Sequence, residues 1–243
     1  MTTAPDSPAA PAPKSLVARF FGVVLSPQET FRSIVAHPKP MGMLMVIVVF
    51  MVAATFLFLN TQVGRDALLD QQITQMEAFG INVTDQQITE MEQRVGMSAY
   101  LGAGGQLVAI PIIYAIMAGL LFAIFNAGMG GTASFKQVFT VVTHAGAVSV
   151  IQQAFVMPLN YVRGSLQSAT NLGALLPMLP EGGFLTYLLN TIDIFIIWWV
   201  FVLAIGLAVL YKRGTQPVAI TLFSIYGVIA LIIATVRTFM GGS

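Results

Sequence analysis

Four stretches of this chain, 41–61, 100–126, 135–157 and 217–236, run for the width of a bilayer with no charge inside except Lys136 at the edge of the third. A fifth, 185–211, holds a single carboxylate before its last residues, Asp193. Crossing a hydrocarbon core takes roughly 20 residues of helix. Lipid offers the backbone no hydrogen bonds, so each stretch must satisfy its own as an α-helix. The expectation is an all-α integral membrane protein with five transmembrane helices. Composition agrees, since 56% of the 243 residues are hydrophobic and 9% charged, against about 25% charged in soluble domains. The absence of cysteine excludes disulfides and thiolate metal sites. The opening MTTAPDSPAAPAPK has no basic region followed by an apolar core, so residues 1–14 read as a disordered tail and not a signal peptide.

Five crossings put the termini on opposite faces, and basic residues mark the cytoplasmic one. With the N-terminus inside, Lys14, Arg19, Arg32, Lys39, Lys136, Lys212 and Arg213 are cytoplasmic, while Arg65, Arg94, Arg163 and Arg237 are outside. The count predicts N-in and C-out. A bacterial cytoplasmic membrane is the expected location.

The most polar stretch, 62–98, then lies outside, and it contains one octapeptide twice: DQQITQME from Asp70 and DQQITEME from Asp85. The intervening GINVT is poor helix material. Two short helices follow, the first ending on a left-handed Gly80, the second capped by Thr84 with Gln87 three residues on. Ile73, Met76 and Phe79 or Gly80 line one face of the first, and Ile88, Met91 and Val95 one face of the second. This external helical hairpin either caps the mouth of the bundle or docks a partner, for which Asp70, Ile73, Met76, Asp85, Ile88 and Met91 are the candidates.

Residues 15–40 form a cytoplasmic amphipathic segment broken at Ser26-Pro27. It either lies in the interface, with Arg19, Arg32 and Lys39 toward lipid headgroups, or packs as a helix pair against the bundle. Within the spans, Asp193 and His144 reach similar depth by helix rise. With Asn190, Thr140, Thr143 and Gln152 they are a candidate polar site, either an ion- or proton-handling element or a clasp between spans. The outer loop, with Pro177 and Pro180, would shape an entrance. No H-E-x-x-H, G-x-S-x-G or cysteine nucleophile is present, and the glycine clusters 102–105 and 128–131 do not continue as GK[ST]. The reading is a non-enzymatic protein without cofactor or metal. No basic patch points to nucleic acid. The expected partners are the lipid bilayer and other membrane proteins, with a small transporter or channel as the alternative.

LSPQETFRSIVAHPKP before the first span and GMGGTASFKQVFTVVTHAGAVSVI opening the third resemble the Yip-domain family of five-span membrane proteins, its bacterial branch above all. Pro27, Phe31, Pro38, Pro40, Gly130, Gly131, Phe135, Ala145, Gly146 and Ala147 carry the likeness. The resemblance implies five helices with a cytoplasmic N-terminus. Eukaryotic members are associated with Rab-type GTPases through an acidic D-L-x-G-P-type motif. Here Val24-Leu25-Ser26-Pro27 stands in its place without the acid or the glycine, so GTPase binding is not carried over.

Overall fold

A computed structural model describes residues 12–240 apart from 79, 177 and 179–182. Most of the expected tail, Phe79 of the hairpin stripe, and Pro177 and Pro180 of the outer loop lie outside the described residues. Two ten-residue helices come first, α1 (Leu16–Leu25), whose N-cap Ser15 accepts from the Ala18 amide, and α2 (Pro27–Ala36). Proline at the first helical position starts both α2 and α3 (Pro40–Leu59), where the missing N–H costs nothing. Next come α4 (Gln62–Ala78) and α5 (Asp85–Phe122), which runs on into a π-helical turn, Ala123–Gly128. The third apolar stretch is α6 (Phe135–Ala145) and α7 (Ala147–Arg163), interrupted at Gly146. The chain closes with α8 (Phe184–Thr191), α9 (Ile194–Leu210) and α10 (Thr215–Met240). No strand occurs among the described residues; one isolated antiparallel bridge joins Asn171 and Asp193.

Among the described residues four segments are long and apolar enough to cross a membrane: Pro40–Leu59, Tyr100–Gly128, Phe135–Arg163 and Thr215–Phe239. The fifth expected helix is not continuous. It divides into α8 and α9 because Asp193 takes extended backbone angles, φ −113° and ψ 136°, and caps α9 by accepting from the amides of Phe195 and Ile196. Aspartate is among the strongest N-caps, and that preference overrides an otherwise helical run. Both pieces pack along α10.

The hairpin also differs from expectation in one respect. Gly80 ends the first arm at φ 74°, and Thr84 and Gln87 form the capping box of the second. That second arm is not a separate short helix, however. It is the start of α5, whose 38 residues make a rod of about 57 Å at 1.5 Å per residue. Glycines at 102, 104 and 105 do not break it, since a helical glycine costs only about 1 kcal/mol.

The core is built on α6 and α7, where Val138, Val141, Val142, Ala145, Ala147 and Val148 are fully buried. Helices α3, α5 and α9 surround them, and α2 packs against both α6 and α9. On the face that carries α1 and α2, the loop before α6 is latched to the end of α9. Gly130 is left-handed at φ 70°, and at Gly131 a Cβ would lie 2.4 Å from Tyr211 Cε1 and 2.8 Å from the Phe125 carbonyl oxygen. The Tyr211 ring stacks on Phe125 at 5.1 Å. Its hydroxyl donates to Asn126 Oδ1 at 2.8 Å, and Asn126 Nδ2 donates to the Ala133 carbonyl at 2.7 Å. A methyl group at 131 has nowhere to go, because one obstacle is backbone. Gly131→Ala should therefore cost about 1–3 kcal/mol of overpacking. A thermal melt in detergent checks this, and an unchanged midpoint would show that the latch yields freely.

Candidate functional site

Asp193 sits buried at the break in the apolar stretch 185–211. Five donors converge on its carboxylate. Oδ2 accepts from Thr170 Oγ1 at 2.6 Å and Ser168 Oγ at 2.9 Å. Oδ1 accepts from the Phe195 amide at 2.8 Å, the Ile196 amide at 3.4 Å and Gln152 Nε2 at 3.4 Å. The backbone freed by the break is also paired. Leu172 N donates to the Ile192 carbonyl at 2.8 Å, and Ile194 N to the Thr170 carbonyl at 3.2 Å. Tyr226 of α10 donates its hydroxyl to the Thr191 carbonyl at 2.7 Å. An unwound helix in an apolar setting survives only when its polar groups find such partners. Here the loop after α7 supplies them.

The six residues expected to form one polar site fall into separate groups. Gln152 reaches Asp193. His144 does not contribute to the carboxylate's hydrogen bonds: its Nδ1 lies 2.8 Å from the Thr140 carbonyl, an acceptor only, which places the proton on Nδ1. His144 and Gln152 are eight residues apart on the same span, about 12 Å of helix rise. The Thr140 and Thr143 hydroxyls donate to carbonyls of their own helix, those of Lys136 and Thr140. Asn190 is exposed and lies against Gly173, where a Cβ would come 1.9 Å from its Oδ1. Ser168 and Thr170, which complete the Asp193 cluster, lie in a loop where their hydroxyls, two residues apart, were the only signal.

At the N-terminal face, Arg19 turns inward and not toward the surface. It is buried, with Nε donating to the Lys14 carbonyl at 3.0 Å and Nη1 to the His37 carbonyl at 3.3 Å, so it ties α1 to the end of α2. Arg32 and Lys39 are exposed. On the opposite face Ile73, Met76, Ile88 and Met91 of the hairpin arms are all half-buried, with Asp70 and Asp85 exposed to solvent. A cleft of about 480 Å³ between the arms is lined by Met76, Ile81 and Met91, with three glutamines, Glu90 and Arg94 around them. Ala67 and Leu68 fasten α4 to Phe58 and Leu59 at the end of α3 and to Met157.

The elements from the second half of α1 to the last turn of α10 fall within one family model, described as the Yip1 domain, which matches residues 21–237. The chain belongs to the Yip1-domain family. It is 28% identical over 231 residues to the membrane protein YknW of Bacillus subtilis (strain 168), covering 91% of this chain and 92% of that one. No solved structure matches it. In this Yip1 domain the residues that carry the resemblance are packing residues. Pro27 and Pro40 start helices, Phe31 fills the core, Gly130 and Gly131 form the latch, and Ala145 to Ala147 make the break between α6 and α7.

Proposed function

We propose that this Yip1-domain protein is a non-enzymatic organiser of a bacterial cytoplasmic membrane. In this reading it crosses the bilayer five times, with α8 and α9 together as the fourth crossing, its N-terminus cytoplasmic and its C-terminus outside. The excess of Lys and Arg on the face of α1 and α2 supports that orientation. The external hairpin, with six carboxylates against two arginines over 62–98, supplies the surface for binding other membrane proteins.

The polarity of α1 carries the proposal. Its outward residues, four apart on one face, are Val17, Phe21 and Leu25, which are 65%, 57% and 78% exposed, while its charged residue, Arg19, is 4% exposed and turned inward. A helix with that polarity is adapted to lipid outside it. At ten residues it rises about 15 Å, too short to cross. It therefore lies in one leaflet beside the bundle and widens the protein's section there. Next to it α2 presents Gln28, Glu29 and Arg32 to water, so the pair straddles the interface.

A fluorophore at position 17 in reconstituted vesicles should be reached by lipid-borne quenchers, and the protein should enrich on small vesicles over large ones. Phe21→Gln with Leu25→Gln should lose that enrichment while keeping the fold, since each buried large apolar side chain contributes about 1.5–3 kcal/mol. Equal partitioning of variant and wild type would sink the membrane-organising reading. The transporter alternative rested on Asp193 acting with His144, and nothing in the hydrogen bonding joins them.

A further inference from the structure

On the hairpin side, between α3, α5 and α7, lies a cavity of about 420 Å³. Its polar wall consists of Thr55, Ser98, Gln106, Gln152, Gln153, Asn160 and Ser168. Thr55 and Gln106 satisfy each other, with Gln106 Nε2 donating to Thr55 Oγ1 at 3.0 Å. Gln152 and Ser168 are committed differently, because each gives a proton to the Asp193 carboxylate. A carboxylate that accepts from five donors draws hydrogens toward itself. Gln152 keeps its amide Oε1 and one N–H, and Ser168 keeps a lone pair beside the one that accepts from the Thr170 amide.

Asn160 supplies the unmet acceptor. It is 6% exposed, it lines the cavity, and its Oδ1 is buried without a hydrogen-bond partner. Behind the wall Asp193 contributes a negative charge that no ion pair neutralises among the described residues. Buried charge of this kind favours a positive partner. The remaining wall is Gly102 and the apolar side chains of Phe58, Leu59, Leu68, Val156, Met157 and Leu166. The cavity thus presents one buried, unmet oxygen at Asn160 and the negative potential of Asp193 behind it, with room for a carbon body.

We infer that this cavity binds a primary ammonium group carried on a short carbon chain. A quaternary ammonium brings no N–H for Asn160 and relies on aromatic faces, of which Phe58 is the one in the wall. An anionic group meets no Lys or Arg in the lining. A bare alkali ion leaves most of the volume and all of the apolar wall unused. The cavity lies between the last turns of α3 and α7, so the ammonium can arrive on an aminophospholipid headgroup or as a free amine from water. The chemistry is the same for both sources.

The test uses the full chain, purified and offered equal amounts of phosphatidylethanolamine, phosphatidylcholine and phosphatidylglycerol, with retained lipid read by native mass spectrometry. Ethanolamine is titrated separately by thermal shift. One phosphatidylethanolamine retained per chain, about tenfold over the other two and not displaced by ethanolamine, assigns the headgroup as ligand. Stabilisation by ethanolamine without lipid preference assigns the free amine, and both effects together mean that the site takes either. Asn160→Leu removes the unmet acceptor, and Met157→Trp fills the cavity without touching its polar groups. Each should abolish the response, and Met157→Trp keeps the test decisive if the Asn160 variant does not fold. Equal retention of all three lipids with no ethanolamine shift would overturn the inference, as would wild-type binding by a folded Met157→Trp protein.

Discussion

Asp193→Ala should lower the unfolding midpoint in detergent by on the order of 10 °C. The change removes the N-cap of α9, which by itself costs about 0.5–2 kcal/mol. It also leaves Thr170 Oγ1, Ser168 Oγ and Gln152 Nε2 facing an apolar methyl, and an unmet buried donor costs about 1–3 kcal/mol. Hydroxyl rotation recovers part of this, so the total is about 3–5 kcal/mol. At roughly 2–4 °C per kcal/mol for a chain of this size, the shift follows. Asp193→Asn keeps an oxygen for the cap and the shape of the side chain, and Ser168 or Thr170 can reverse to accept from its amide. Its loss should be clearly smaller than that of the alanine variant. If alanine melts with the wild type, the carboxylate does not hold the loop to the helix break, and the account of the divided stretch 185–211 is wrong.

That division marks where sequence reasoning stops. The apolar runs, the hairpin and the capping box at Thr84 were readable because each is a local signal, periodicity in one case and a pair of residues at fixed spacing in the other. The Asp193 break was not, because a lone carboxylate in an apolar run is compatible with a continuous helix that finds a polar neighbour. What decided between them was a loop some twenty residues upstream, whose Ser168 and Thr170 hydroxyls have no periodicity to announce them. The depth argument that paired His144 with Asp193 assumed two uninterrupted helices and failed for the same reason. Arg19 misled in another way. Basic residues near a span usually face headgroups, yet here two backbone carbonyls, of Lys14 and His37, capture the guanidinium. Carbonyl acceptors are invisible in a pattern of side chains.

Phe31→Ala tests whether α2 belongs to the bundle or merely rests on it. Phe31 is fully buried, and its ring occupies the space over Gly206, where a Cβ would come 2.9 Å from Phe31 Cε1 and 2.6 Å from Val141 Cγ1. Truncating a well-packed phenylalanine costs about 3–5 kcal/mol. The loss falls where the N-terminal pair joins the core, because Val23 and Ile34 share the same buried cluster. The structure therefore predicts two coupled effects: a melt lowered by on the order of 10 °C, and faster proteolytic cleavage at Ser26 and around His37, the two points where the pair leaves helical geometry. Arg32→Ala, on the exposed face of the same helix, should stay within about 0.5 kcal/mol and leave cleavage unchanged. Faster cleavage without a lowered melt would mean that α1 and α2 detach as a unit while the five apolar segments stand alone. In that case the in-plane helix would be a hinged attachment, and its effect on the membrane could be switched by anything that pulls Phe31 out of its socket.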